Sequence, residues 1–165
     1  MDPAWERQIR DVLDQERFGV LATSARGRLH TATIHFAATA DLELVHAIRP
    51  VTLKAEQALA EPRVAFQIDN REILLTSRKQ FTRISLEGAL FHVSRDDPEY
   101  QRWRDVFARK LPVGDRLLDH ADIEMYVLRP SRVRIAIGAD AATDVDLEVG
   151  DRGGEDGSAE REPGV

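Results

Sequence analysis

The chain has 165 residues, of which 42% are hydrophobic and 32% charged, with no cysteine and a formal charge of −6. That length and balance describe a soluble globular protein with one sizeable core, and the missing cysteines exclude disulfides, thiolate metal sites and a cysteine nucleophile. No basic segment leads into an apolar run near the start and no stretch is long enough to cross a bilayer, so the expected setting is cytoplasmic and away from membranes.

Asp2-Pro3 sets a capping residue before a proline at a first helical position, and Trp5, Ile9, Val12 and Leu13 repeat at helical spacing. Residues 3–16 are therefore predicted as an amphipathic helix that Trp5 staples to the core. FGVLAT (18–23), LHTATIHFAA (29–38) and LELVHAI (42–48) read as a meander of three strands, with Gly27 in the first turn. A helix beginning near Thr52 offers Leu53, Ala55, Ala58 and Leu59 to the core and stops before Pro62.

VAFQI (64–68), EILLTS (72–77) and FTRISLEGALFHVS (81–94) are further strand candidates. Gly88 marks a bulge or bend in the last of these, and Arg83 and Glu87 share a face on which they could pair. DDPEYQRWRDVFARKL is a second helix with Trp103, Val106 and Phe107 on its core side, and IEMYVLRP (123–130) and RVRIAIG (132–138) close the series as two strands. There is no internal repeat. Many short strands with few helices predict a mainly β fold, a small antiparallel barrel with peripheral helices.

From Ala139 onward nine acidic residues face only Arg152 and Arg161, a net charge of −7 that leaves the first 138 residues at +1. The expected division is a folded domain over 1–138 and an acidic, solvated, disordered tail over 139–165. With a near-neutral body and no basic residues interleaved with aromatics, nucleic-acid binding is not expected.

His-Glu-x-x-His, a phosphate-binding glycine loop and a Gly-x-Ser-x-Gly elbow are all absent, and no metal site is expected. Of the histidines, His30, His35, His46 and His92 fall in predicted strands, where a lone histidine more often serves as a wall residue than as a ligand. One stretch stands out. Arg49, Thr52 and Lys54 cluster where a strand passes into a helix start, whose free N–H groups and dipole favour an anion. They form either a seat for a phosphate monoester or a plain threonine cap between two solvated bases.

Gly19–Thr23, Gly27, Leu29–Phe36, Thr52-Leu53-Lys54, Glu61–Ala65 and the later RISLEGALFHVS follow in an order and spacing that resembles the pyridoxamine 5′-phosphate oxidase-like family. The likeness covers roughly residues 14–137. It implies a six-stranded antiparallel split β-barrel of the FMN-binding type, forming a homodimer with flavin mononucleotide (FMN) at the subunit interface and a small-molecule substrate. The family's phosphate contacts map onto Arg49, Thr52 and Lys54. Its ring-facing strand maps onto Thr33, Ile34, His35 and Phe36, with Ala47 and Ile48 from the next strand and Gln67 from the one after.

The function so implied is a flavin-dependent oxidoreductase, with the chemistry carried by the cofactor and no catalytic residue assigned. The C-terminal RVRIAIG and acidic tail argue against vitamin B6 itself as the substrate. Three other readings keep the fold: a reductase using an 8-hydroxy-5-deazaflavin, a haem-binding barrel with His46 or His35 as axial ligand, and a dimer that holds a ligand without turning it over.

Overall fold

A computed structural model describes residues 3–111, 114–138 and 142–146. Helix α1 (Pro3–Gln15) buries Ile9, Val12 and Leu13. Strands β1 (Phe18–Ala25) and β2 (Arg28–His35) form a hairpin. Its two-residue turn holds Arg26 at φ 51° and Gly27 at φ 75°, the left-handed pair that matches the twist of the flanking strands. After β3 (Ala37–Ala38) come β4 (Leu44–Ile48), α2 (Leu53–Ala60), β5 (Arg63–Asp69) and β6 (Thr82–Val93). Helices α3 (Tyr100–Lys110) and α4 (Gly114–Leu118) precede the long β7 (Glu124–Ile137) and the short β8 (Thr143–Asp146).

All pairing is antiparallel in the order β2-β1-β5-β6-β7-β4-β3, with β8 also beside β7. The two ends of this order, β2 and β3, are neighbours in sequence. The segment predicted as one strand over 29–38 breaks at Phe36: up to His35 it pairs with β1, and from Ala37 it pairs with β4. Phe36 itself is buried, and the chain thereby curls the sheet into an open half-barrel. This is the split-barrel topology that the resemblance implied, six longer strands with β3 and β8 as short flanking pieces.

Two apolar cores lie on either side of β4 and β7. Inside the barrel Leu21, Phe36, Phe66, Ile84, Leu86, Tyr126, Val133 and Ile135 pack with the buried face of α1, and Trp5 packs at their edge as predicted. Beneath α3, Trp103 and Phe107 meet Val45, Met125 and Val127. Strand alternation sends His46 and Tyr126 inward and their neighbours Val45 and Met125 toward α3.

Several predicted boundaries are corrected. EILLTS is no strand: Arg71–Leu75 is a 3₁₀ turn, followed by a second at Arg78–Gln80, because no neighbouring strand takes up its backbone. The strands predicted at 123–130 and 132–138 are one, and Pro130 is tolerated within it because β6 shifts register there, between Glu87 and Gly88. A Cβ at Gly88 would lie 2.1 Å from the Arg129 carbonyl oxygen, so only glycine allows this approach. Arg83 does not meet Glu87; its guanidinium lies over the Phe81 ring and donates to the Gly138 carbonyl. Strand β8 carries the sheet past Gly138, and the expected tail beyond it lies outside the described residues. Among the described residues no helix is long and apolar enough to cross a membrane.

Candidate functional site

The outward face of the sheet follows from the register. Val20 of β1 stands between Thr33 on β2 and Gln67 on β5, and Gln67 is followed by Ser85 on β6. One row along, Ala22 stands between Thr31 and Ala65. None of these side chains belongs to either apolar core. At the end of β1, Phe18 is 52% exposed, and its ring lies 4.0 Å from that of His35, tilted by 35°. An exposed imidazole, an exposed aromatic ring and a run of small side chains thus share one face.

Of the residues expected to hold a cofactor, Thr33, His35 and Gln67 are exposed and belong to this face. Ile34, Phe36 and Ile48 are buried in the barrel core and present no side chain to a ligand. Ala47 packs against the second core under α3.

Arg49, Thr52 and Lys54 do gather at the start of α2, which is seated on the hairpin by a buried chain of hydrogen bonds. Thr23 Oγ1 donates to Gln57 Oε1 at 2.6 Å, and Gln57 Nε2 donates to the Arg28 carbonyl at 2.8 Å. The Thr52 hydroxyl makes no cap; it donates instead to the Arg49 carbonyl at 2.7 Å. The Arg49 guanidinium pairs with Asp122 at 3.2 Å, a partner that the sequence does not reveal. Burial pushes the Lys54 ammonium below its ordinary pKa.

His46 is fully buried. Its Nδ1 lies 3.0 Å from the His35 carbonyl oxygen, to which it donates in the tautomer that leaves Nε2 as an unpartnered acceptor. Burial lowers its pKa to about 4, against the raising effect of that carbonyl. Across the sheet His46 pairs with Tyr126, and Tyr126 with His92, so two imidazoles flank one phenol on β4, β7 and β6. The Tyr126 hydroxyl is likewise buried and unpartnered, with a pKa raised first by burial and then by Glu124. His92 Nε2 meets Glu124 Oε2 at 2.9 Å. Among the described residues no three His, Asp or Glu side chains converge as a metal site.

Sequence reasoning missed Phe18 and this polar row. The period-two alternation of Phe18, Val20 and Ala22 could have placed Phe18 outside. Nothing in the sequence pairs His46 with Tyr126, because that neighbourhood depends on cross-strand register.

No family model and no curated protein matches the chain. Solved structures do. The heme binding protein from Mycobacterium smegmatis superposes with a TM-score of 0.76 at 18% identity, over 88% of this chain and 59% of that one. Campylobacter jejuni ChuZ gives 0.72 at 16% identity, over 87% and 59%. HutZ, the heme storage protein from Vibrio cholerae, gives 0.68 at 17% identity, over 80% and 93%. The chain thus spans about three fifths of the mycobacterial and Campylobacter proteins, and at these identities the likeness is one of fold.

These neighbours correct the expected identity. The pyridoxamine 5′-phosphate oxidase-like assignment, the FMN cofactor and the flavin-dependent oxidoreductase activity give way, because haem-binding and haem-storage proteins stand among the most similar folds. The physical reason for the error lies in the motifs, which specify the strands and turns of the barrel and carry little about the ligand.

Proposed function

We propose that this chain is a haem-binding split barrel, working as a dimer that closes over the outward face of β1 and β2. The observation that carries the reading is His35, an exposed imidazole set against the exposed Phe18 ring on a face of small side chains. Iron ligation needs an accessible ring nitrogen, and a porphyrin needs a flat apolar bed. His35, Phe18, Val20 and Ala22 offer both. His46, the other histidine considered for this role, fits poorly: one nitrogen is turned to the His35 carbonyl, and the other is sealed in the core with the Phe66 ring 5.0 Å away. The solved haem-binding and haem-storage proteins of the same fold support the same reading.

Bound there, haem would supply iron and porphyrin, while His35 would hold the metal and Phe18 would stack beside it. A second copy would shield the plane from water, since one subunit leaves that face open. The test is a haemin titration of the purified protein followed by its Soret band. Wild-type and His120→Ala should saturate alike, whereas His35→Ala should lose or shift the band and weaken binding. Binding that is unchanged in His35→Ala rejects the site, and no Soret change in the wild type rejects the function.

A further inference from the structure

A cleft between α3 and the turn that follows β3 remains unused by this reading. One wall is the turn Ala38–Asp41, and the other is a single face of α3 bearing Arg102, Val106, Arg109 and Lys110. The spacing of those four positions keeps them on one side of the helix, so three basic residues line the same space. Glu99 holds the Arg102 guanidinium at 2.8 Å. Arg109 is exposed and, among the described residues, makes no ion pair.

Lys110 differs from an ordinary surface lysine. Its ammonium lies 3.8 Å from the centre of the Phe36 ring and donates to the carbonyl of Leu13 at the end of α1. No carboxylate among the described residues lies within ion-pair distance of it. The charged groups facing it are Asp14, Glu16 and Arg17 from the α1 end, with Asp41, Arg102 and Arg109 around the cleft. Burial outweighs the raising effect of Asp14 and brings its pKa to about 8. About a tenth of Lys110 is therefore a free amine at pH 7, where an exposed lysine is almost wholly protonated.

We propose that this cleft is an acylation site, in which Arg109 and Arg102 hold the phosphate of a small acyl phosphate while the Lys110 amine takes its acyl group. The free amine keeps one N–H on the Leu13 carbonyl and directs its lone pair into the cleft. That lone pair forms a bond to the acyl carbon, and the carbon–oxygen bond to phosphate breaks. Inorganic phosphate leaves with the electron pair and takes up, directly or through water, the proton that the attacking nitrogen loses. The product is an Nε-acyl-lysine that no longer places a positive charge over Phe36 or on the α1 terminus.

The chain has only three lysines, Lys54, Lys79 and Lys110, which makes the test direct. The full-length protein is incubated with acetyl phosphate, and acetylation at each lysine is timed by peptide mass spectrometry. Lys110 should react about fivefold or more faster than Lys79, and Arg109→Gln should remove most of that lead because the anion loses its holder. With the uncharged reagent N-hydroxysuccinimidyl acetate the same substitution should change nothing. A Lys110 rate no higher than that of Lys79 overturns the proposal. So does an Arg109→Gln effect that is absent with acetyl phosphate or equal for both reagents.

Discussion

The inward and outward faces of the same strands obey different rules. Inward, β5 places Phe66 so close to β1 that a Cβ on Gly19 would lie 2.4 Å from its ring, and Phe36 meets it edge-on at 5.5 Å. Outward, the neighbouring Ala65 and Gln67 share their face with Ala22 and Val20 and belong to no core. One face is specified by shape and cannot give. The other carries small side chains that belong to no core, and it is the face proposed to take a flat ligand and a second copy.

Breaking the inward face should produce the largest effect. Phe66→Ala is expected to cost about 3–5 kcal/mol, through lost burial and the cavity left against Gly19 and Phe36. Ala65→Ser, one residue away on the outward face, should stay within about 0.5 kcal/mol. Urea unfolding of both variants checks the contrast, and equal losses would show that the two faces do not differ in packing.

The second effect comes from the charge state of the inward face. His46 titrates near 4 when folded against an ordinary value of 6.5, so the unfolded chain takes up a proton before the native one does. Its contribution is therefore fully present above pH 6.5, is lost as pH falls toward 4, and changes no further below that. The loss is on the order of 3 kcal/mol. Stability of the wild type measured across that window should fall more steeply than that of His46→Phe. Parallel profiles would mean that the buried imidazole is not the group responsible.

The same contrast explains what was legible in the sequence. Inward-facing residues announce themselves: Ile9, Val12 and Leu13 by helical period, Leu21, Phe66 and Ile84 by alternation. The barrel followed from them together with the turn at Gly27. The outward face was harder, since Val20, Ala22 and Ala65 look like further core residues until the register shows which way they point. The Arg71–Leu75 turn was misread because Ile73, Leu74 and Leu75 are apolar, although Leu75 is in fact 91% exposed. The candidate site was legible only as a set of strands: of the residues that the resemblance implied, Thr33, His35 and Gln67 lie on the outward face and Ile34, Phe36 and Ile48 in the core, because a resemblance aligns whole strands and cannot tell one face from the other.

A third effect belongs to the outward face alone. Val20→Glu adds a carboxylate at its centre, and in a two-fold dimer each copy brings one. The proposed dimer should weaken roughly tenfold or more, about 1.4 kcal/mol, while the subunit's circular dichroism and unfolding midpoint hold. Light scattering across a concentration series reads the first, and a wild type that is monomeric at every concentration removes the face from assembly.

The smallest effect sharpens the comparison at its rim. Arg49 and Asp122 are each about three fifths exposed, and water screens their pairing at 3.2 Å. Arg49→Ala should therefore change stability by less than about 0.5 kcal/mol. Since Thr52 reaches Arg49 through its backbone carbonyl, loss of the guanidinium leaves that turn in place as well. A thermal shift near zero with unchanged haemin binding would define Arg49 as a solvated charge outside the ligand bed. A loss of haemin affinity with stability intact would instead extend the bed from the outward face of β1 to the start of α2, and would give the lysine and arginine there the anionic partner that their position suits.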